Sequence, residues 1–492
     1  MTKVTQNGLI ARSIDFLFHR WNVEPKKHEA RLGRKLRLEN LEDRMLLASL
    51  PVTGSADANA LITQGYCDSE MNIISSKIRV TTYDDIVDPT DGLVSLREAI
   101  NYVESNSTVL FGQAGTITLN KNLGQLVINK NITFDAMSSG TITLDAAWSG
   151  RIMNVRSAQG KIEVLAKNLR FTHGAGEAGG ALWIGDGATV SLTECQLENN
   201  TASEGGAVYL SGTGKLIASQ TVWENNEASR GGAVSVGTSG ILDLASCTFS
   251  SNTATEAGGA LYVNSTLSNT RAAYITNTLF DANELTATTT SSELGGGACM
   301  IVSGEVEFDG CDFLYNTSAV RDGGAISTGT NLPDLFVYNS YFEGNDARCG
   351  GAVCLSTSTY SQFDGVTFLD NVAVWAGGGI FNEGSCDLED VSLKANTVEE
   401  DGDDGGGIFN SGYMIVSGSV VWGNVCLNEQ GSGAGIRNDG KMFISDTLIS
   451  DNTTGSHGVG GGIRNTESGS INMVNSSVAN NVAYDTGGGI EN

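Results

Sequence analysis

Residues 323–353 read Gly323-Gly324-Ala325-Ile326, then Phe342-Glu343-Gly344-Asn345, then Gly350-Gly351-Ala352-Val353. Two small residues and an apolar one return after 27 positions, with an aromatic and an Asn three residues apart between them. Outward from this unit the step recurs with its last small residue at Ala181, Ala207, Ala233, Ala260, Ala298, Ala325, Ala352, Gly379, Gly407, Gly435, Gly462 and Gly489. The spacing is 26 to 28 residues except for one interval of 38. A period this short, without helical patterning, is too small for a domain and belongs to a solenoid.

The Asn recurs with the same regularity, from Leu197/Asn200 through Phe249/Asn252 and Phe368/Asn371 to Val478/Asn481. Stacked coils would set each Asn over the last, so that side-chain amides hydrogen-bond along the stack. Alternatively Asn serves the left-handed backbone of a tight corner. Both readings give the same architecture. Beside the small-residue step the pattern has period two, as in Leu182-Trp183-Ile184 and Val208-Tyr209-Leu210, which puts first and third residues on one face. The expected fold is all-β: a right-handed parallel β-helix with Leu, Val, Ile and Phe rows inside and glycines at the corners. At about 4.8 Å per coil, the twelve marked coils span roughly 55 to 60 Å.

The alternation of Gly-Gly-Ala-Ile-like and Phe-x-x-Asn motifs resembles the repeats of the polymorphic outer membrane proteins of chlamydiae, over about residues 170 to 492. That resemblance implies a bacterial β-helix surface protein. The chain stops at Gly489-Ile490-Glu491-Asn492, just inside a coil and without the membrane barrel the chlamydial family carries. A further module or another subunit is therefore expected to cover that end.

Composition agrees with the coil. Sixty-three glycines accompany four prolines, of which only Pro333 lies within the repeats. Net charge is −27, but residues 1–44 hold ten Lys/Arg and six Asp/Glu, leaving 19 against 50, or −31, for the rest. That acidity disfavours nucleic acid and anionic membrane as partners. Nine cysteines are an odd number. Cys195 and Cys247 would lie two coils apart, beyond disulfide reach, and only Cys349 and Cys354 flank one corner closely enough to test. Cys299 sits in the apolar row of Leu261 and Ile326, as a small hydrophobe would.

Residues 1–50 read as a basic export leader, largely disordered, and 51–78 as a linker. No apolar run is long enough for a membrane span. Leu41-Glu42-Asp43-Arg44-Met45-Leu46-Leu47-Ala48 is similar to the extracellular signal motif of planctomycete proteins. The competing reading is an amphipathic basic helix. Residues 79–170 form the cap and first coils. Within them Ser95 and Glu98 have capping-box spacing, and Leu96, Ala99, Ile100 and Val103 share a helical face. This short helix is expected to cover the first coil. The segment resembles the Cys-Ser-Leu-Arg-Glu-Ala domain found ahead of bacterial β-helices, with Val94 in the cysteine's place.

Three sets of residues are candidates for function. Trp183, Tyr209, Tyr262, Phe381 and Phe409 stand in one outward row beside the small-residue step, where rings could stack on glycans or contact cell-surface proteins; the competing reading is packing. Ser235 leaves a gap between Tyr209 and Tyr262 wide enough for a ring. Arg437 and Arg464 would be like-charged neighbours in the same row, relieved by Glu491. Insertions gather between each Asn and the next step. The most charged of them, with Glu399, Asp401, Asp403 and Asp404, offers oxygen ligands to Ca²⁺, yet its spacing fits neither an EF-hand nor a nonapeptide repeat. A solvated acidic loop fits as well, and no other cofactor is expected. For an enzyme the inventory is thin: outside the leader only His173 and His457 occur, with no Cys/His cluster or nucleophile motif. Asp364, Asp370, Asp387 and Asp390 are carboxylates of the kind a β-helix polysaccharide lyase or glycoside hydrolase would need to converge. The expected function is non-catalytic adhesion or envelope structure at the cell surface or in the matrix, with the polysaccharide enzyme as the alternative.

Overall fold

The structure is a computed structural model that describes residues 76–157, 160–267, 270–287, 295–318, 320–400, 402 and 404–492. The chain divides into units Met1–Thr53 and Gly54–Asn492, and every described residue belongs to the second. The leader, and the linker up to residue 75, lie outside the described residues.

One coil shows the plan. Strands β1 (Val208–Leu210), β2 (Lys215–Ser219), β3 (Val222–Glu224) and β4 (Glu227–Arg230) follow one another around the turn. Each pairs in parallel with its counterpart one coil on, Val208 opposite Val234 and Trp223 opposite Phe249. The four positions thus build four parallel sheets, here numbered after these strands. Sheet 3 is fourteen strands deep and sheet 4 ten. Sheets 1 and 2 join into one 28-stranded sheet because a single long strand, Cys299–Asp309, runs through both. The β-solenoid expected from the period is present, and among the described residues helix is nearly absent.

The interior is built from rows one residue wide. Trp223, Phe249, Phe280, Phe313, Phe342 and Phe368 stack with centroids 4.5 to 5.0 Å apart. All six are fully buried. The coil repeat therefore sets the spacing at which aromatic faces meet, and each ring adds an offset-stacking contribution of about 1 kcal/mol to its burial.

The Asn row settles the question left open by the sequence. From Asn200 to Asn481 each amide Nδ2 donates to the next Asn Oδ1 at 2.8 to 3.0 Å. The same Oδ1 also accepts the backbone N–H of the Asn below, as Asn371 does from Asn345 at 3.0 Å. The left-handed backbone belongs instead to the residue before the ladder Asn, with φ of 54° at Asn199, 53° at Asn225 and 51° at Ala282. The ladder Asn is kept for its amide.

Glycine is required at the step. Gly323 has φ of 72°, and a Cβ on Gly324 would meet the Gly351 carbonyl oxygen at 2.1 Å. The next coil's backbone fills the space a side chain would need. Cys195, Cys247 and Cys311 occupy a further corner, and all eight described cysteines are buried and outside any disulfide. The Cys349–Cys354 pair forms no disulfide.

At the start of the stack Lys77–Arg79 pairs with Ser107–Leu110, and helix α1 (Leu96–Tyr102) lies between them in sequence. Ser95 and Glu98 make the capping box in both directions. Leu96, Ala99, Ile100 and Val103 enter the main core, as does Val94, fully buried. Arg97 makes a bidentate pair with Asp85 at 2.8 Å, and Asp85 also accepts the Asn120 N–H.

Candidate functional site

The outward row of sheet 1 is mostly not at the surface. Ser235, Met300 and Ser327 are buried although their side chains point away from the main core. The ends of the sheet 4 strands cover them. Ala257 packs with Tyr262, Met300 and Val302, while Cys349 and Ala376 pack with Phe409 and Phe381. Small residues at the strand ends of sheet 4 therefore give the solenoid a second, narrower apolar seam along this crease.

Within the crease the five predicted rings meet different fates. Trp183 is half-buried and lies over Gly185, where a Cβ would come within 2.3 Å of the ring. Tyr209 is half-buried, and desolvation, reinforced by Glu204, raises its hydroxyl above its ordinary value. Phe381 is half-buried and stacks on Phe409 at 4.8 Å. Tyr262 and Phe409 are only 7% and 4% exposed, which corrects the expectation that all five stand in one open strip. Each is covered by an arginine: Arg230 lies 5.9 Å from the Tyr262 ring centre, and Arg437 lies 5.7 Å from that of Phe409.

The Ser235 gap is also closed. Ser235 Oγ donates to Glu204 Oε2 at 3.2 Å, and Arg230 bridges Glu204 at 3.2 Å and Glu256 at 2.9 Å. Burial raises Glu204 above the usual carboxylate range, while Arg230 pulls it back. Arg437 and Arg464 are register neighbours as expected. Asp439 pairs with the first at 3.2 Å and Glu491 with the second, so both like charges are answered.

The acidic loop separates rather than gathers. Glu399 is exposed, Asp404 is 2% exposed, and Asp401 and Asp403 lie outside the described residues. Burial raises the Asp404 carboxyl to about 6, against the Asn428 amide that donates to it at 3.3 Å and the positive Arg437 nearby. Among the described residues no group of three His, Cys, Asp or Glu is placed to hold a metal. Nor do the four aspartates converge. Asp364 and Asp387 project from sheet 2, whereas Asp370 and Asp390 are left-handed corner residues with φ of 52° and 51°. His173 pairs with Asp145 at 3.0 Å.

Two features escaped the sequence reading. A second Asn ladder runs Asn382, Asn410, Asn438, Asn465 and Asn492 at 2.6 to 2.8 Å, in the row that holds Ile184, Leu210 and Val236 in earlier coils. The repeated Ile-Phe-Asn and Ile-Arg-Asn triplets were its signal. The other is the outer face of sheet 2, where Tyr274, Tyr360, Tyr413 and Phe443 are 36 to 43% exposed. They are more open than the crease, but the strands that carry them lack the glycine marker that drew attention to sheet 1.

Residues 246–264 match the Chlamydia polymorphic membrane protein repeat. The matched segment contains the corner cysteine Cys247, the ladder residue Asn252 and the Gly258-Gly259-Ala260 step. No curated protein matches the chain. Among solved structures, the catalytic unit of the thermostable GH87 alpha-1,3-glucanase from Streptomyces thermodiastaticus aligns at 13% identity and a TM-score of 0.35, over 83% of this chain and 69% of that one. Geobacillus virus E2 ORF18 aligns at 12% identity and a TM-score of 0.20, over 84% of this chain and 65% of its own. Likenesses at these scores carry no functional argument.

Proposed function

We propose that the chain is an exported cell-surface or matrix β-helix that displays an acidic surface for adhesion or envelope structure, without catalysis. The observation that carries this reading is the match of residues 246–264 to a polymorphic membrane protein repeat, because the ladder amide inside that segment, Asn252, has its counterpart at every link from Asn200 to Asn481. The finer parts of the reading follow from it. The coil is right-handed, as parallel crossovers in one sheet are. Helix α1 covers the apolar end of the first coil, consistent with its buried Leu96 and Ile100. Residues 1–50 direct export. Trp183, Tyr209 and Phe381, the half-buried members of the sheet 1 row, are the ring positions proposed to touch glycans or cell-surface proteins. The excess of carboxylates keeps nucleic acid and anionic lipid away.

Fractionation of producing cells with protease shaving tests the location, and intact protein confined to the cytoplasm would overturn the reading. Incubation with a panel of neutral and acidic polysaccharides, with and without Ca²⁺, tests the chemistry. No new reducing ends or unsaturated products are expected. Sustained cleavage would transfer the chain to the polysaccharide enzymes.

A further inference from the structure

The exposed face of sheet 2 presents aromatic rings interleaved with carboxylates. In one outward row Tyr274, Glu307, Phe336, Gln362, Asp387 and Ile415 follow each other in register, and Phe443 comes next. The rows on either side add Glu305, Asp334 and Tyr360 on one edge and Asp309, Asp364 and Glu389 on the other. Arg271 and Lys441 are the cations that accompany these acids, and Arg271 is already committed.

What Arg271 does there shows what such a setting holds. Its guanidinium lies 5.3 Å from the Tyr274 ring centre, its Nε donates to Glu305 Oε1 at 2.8 Å, and its Nη2 pairs with Glu307 Oε2 at 2.6 Å. A planar cation is thus held by one ring and two carboxylates from the adjacent coil. Arg230 over Tyr262 with Glu204 and Glu256 repeats the arrangement in the crease, and Arg348 over Trp375, both on sheet 4, pairs with the single carboxylate of Asp322. Farther along sheet 2 the same partners recur, and among the described residues no arginine is paired with them. Phe336 and Tyr360 meet edge-on at 6.0 Å, Tyr360 donates to Asp387 at 3.1 Å, and Asp334 stands beside them, exposed. Tyr413 and Phe443 meet at 6.0 Å two coils beyond.

We propose that the outer face of sheet 2 around Asp334, Phe336, Tyr360 and Asp387, extending to Tyr413, binds an arginine-bearing polypeptide segment. Charge complementarity selects a cationic partner, and the rings select a guanidinium over an ammonium, because a planar cation stacks on an aromatic face while keeping its in-plane donors for carboxylates. Rungs recur about every 4.8 Å and same-face side chains of an extended segment about every 6.6–6.8 Å, so arginines at alternate positions reach this face with their long side chains taking up the mismatch. The face would serve an enzyme as well as an adhesin, so the inference does not depend on the display reading.

Fluorescence anisotropy of the full chain with a labelled nona-arginine peptide tests it, with nona-lysine and a chitosan oligomer as competitors. Arginine peptide is expected to bind several-fold more tightly than lysine peptide and to be released as salt rises. The variant D334N/Y360S/D387N should weaken binding at least tenfold, whereas E198Q/E224Q/D281N, on the outer face of sheet 3, should change it less than twofold. Equal loss in both variants, or equal affinity for arginine and lysine peptides, would reduce the effect to net charge and overturn the proposal. Stronger competition by chitosan than by arginine peptide would assign the face to an amino sugar instead. Nitration of the unaltered chain gives a second readout that needs no variant. Bound arginine peptide should protect Tyr360 and Tyr413 but not the exposed Tyr315 and Tyr484, and uniform protection or none would refute the site.

Discussion

Replacing Asn345 with Ala tests the ladder where it is fully buried. The Asn345 Oδ1 accepts from Asn316 Nδ2 at 2.9 Å and from the Asn316 N–H at 3.0 Å. Its Nδ2 donates to Asn371 Oδ1 and to the Phe313 carbonyl, both at 2.9 Å. Alanine deletes all four bonds. Asn371 Oδ1 keeps the residue 345 N–H, and Asn316 Nδ2 keeps the Phe280 carbonyl at 3.0 Å, but the Asn316 N–H loses its acceptor inside the core. At about 1 kcal/mol net per bond, with a further penalty of about 1–2 kcal/mol for the stranded N–H, the expected loss is about 5–6 kcal/mol. Because a solenoid couples mainly nearest coils, hydrogen exchange should accelerate around residues 316, 345 and 371 while amides near Asn200 stay protected. Asn345→Asp keeps both acceptor roles but turns two donor contacts into oxygen facing oxygen. Its carboxyl pKa in the fold should therefore lie above the unfolded value, so that variant is most stable at low pH and weakens as pH rises through the folded pKa. A loss below 1 kcal/mol for alanine, or an aspartate variant that gains stability with rising pH, would refute the ladder as a source of stability.

Gly324→Ala should cost about 2–3 kcal/mol in thermal melts, since its Cβ would strike the Gly351 carbonyl and the Asp346 nitrogen, whereas Gly112→Ala, with no atom within 4 Å, should be near neutral. Burial pushes the Cys195 and Cys247 thiols to about 11 and those of Cys311 and Cys386 to about 12. Mass-mapped alkylation at pH 8 should therefore leave these four unlabelled in the fold and label them fully in denaturant. Asp404 is raised to about 6, above its unfolded value near 4, so its contribution is fully present below pH 4 and lost as pH climbs through 6. Relative to Asp404→Asn, the parent should lose about 2–3 kcal/mol between pH 4 and pH 7.5, and a parallel pH profile for the two proteins would contradict the burial of that carboxyl.

The architecture was legible because each corner has a chemical requirement that few residues meet. Gly324 leaves no room for a Cβ, and Asn345 must donate and accept along the stack, so both recur at the coil period. The sites were harder to read, for a geometric reason. Period two places Tyr262 and Phe409 outside the main core, but it does not say that sheet 4 bends over them, since that depends on the left-handed first glycine of each step and on small residues such as Ala257 and Ala376. The reverse holds for Tyr360 and Phe336. Their strand is flanked by no glycine signature, and only the register of sheet 2 shows that they meet Asp334 and Asp387 on open ground. Asp404 sits within a run of carboxylates whose spelling suggests solvent, yet the fold buries it beside Asn428.

The second Asn ladder begins at Asn382, where the row, aliphatic before it apart from Thr328, changes to amides. Gene-level gain or loss of a repeat would meet this boundary as a compatibility rule. Removing the coil between Asn410 and Asn438 joins amide to amide and leaves the chain of donors continuous, and removing one between Leu210 and Val236 joins hydrocarbon to hydrocarbon. Moving an Asn-bearing coil back among the earlier ones would leave its amide facing hydrocarbon above and below, with several kcal/mol of unsatisfied polar groups. The solenoid is thus two lineages of coil in one stack: within each, copy number is free to drift, while the order of the two blocks is fixed by chemistry.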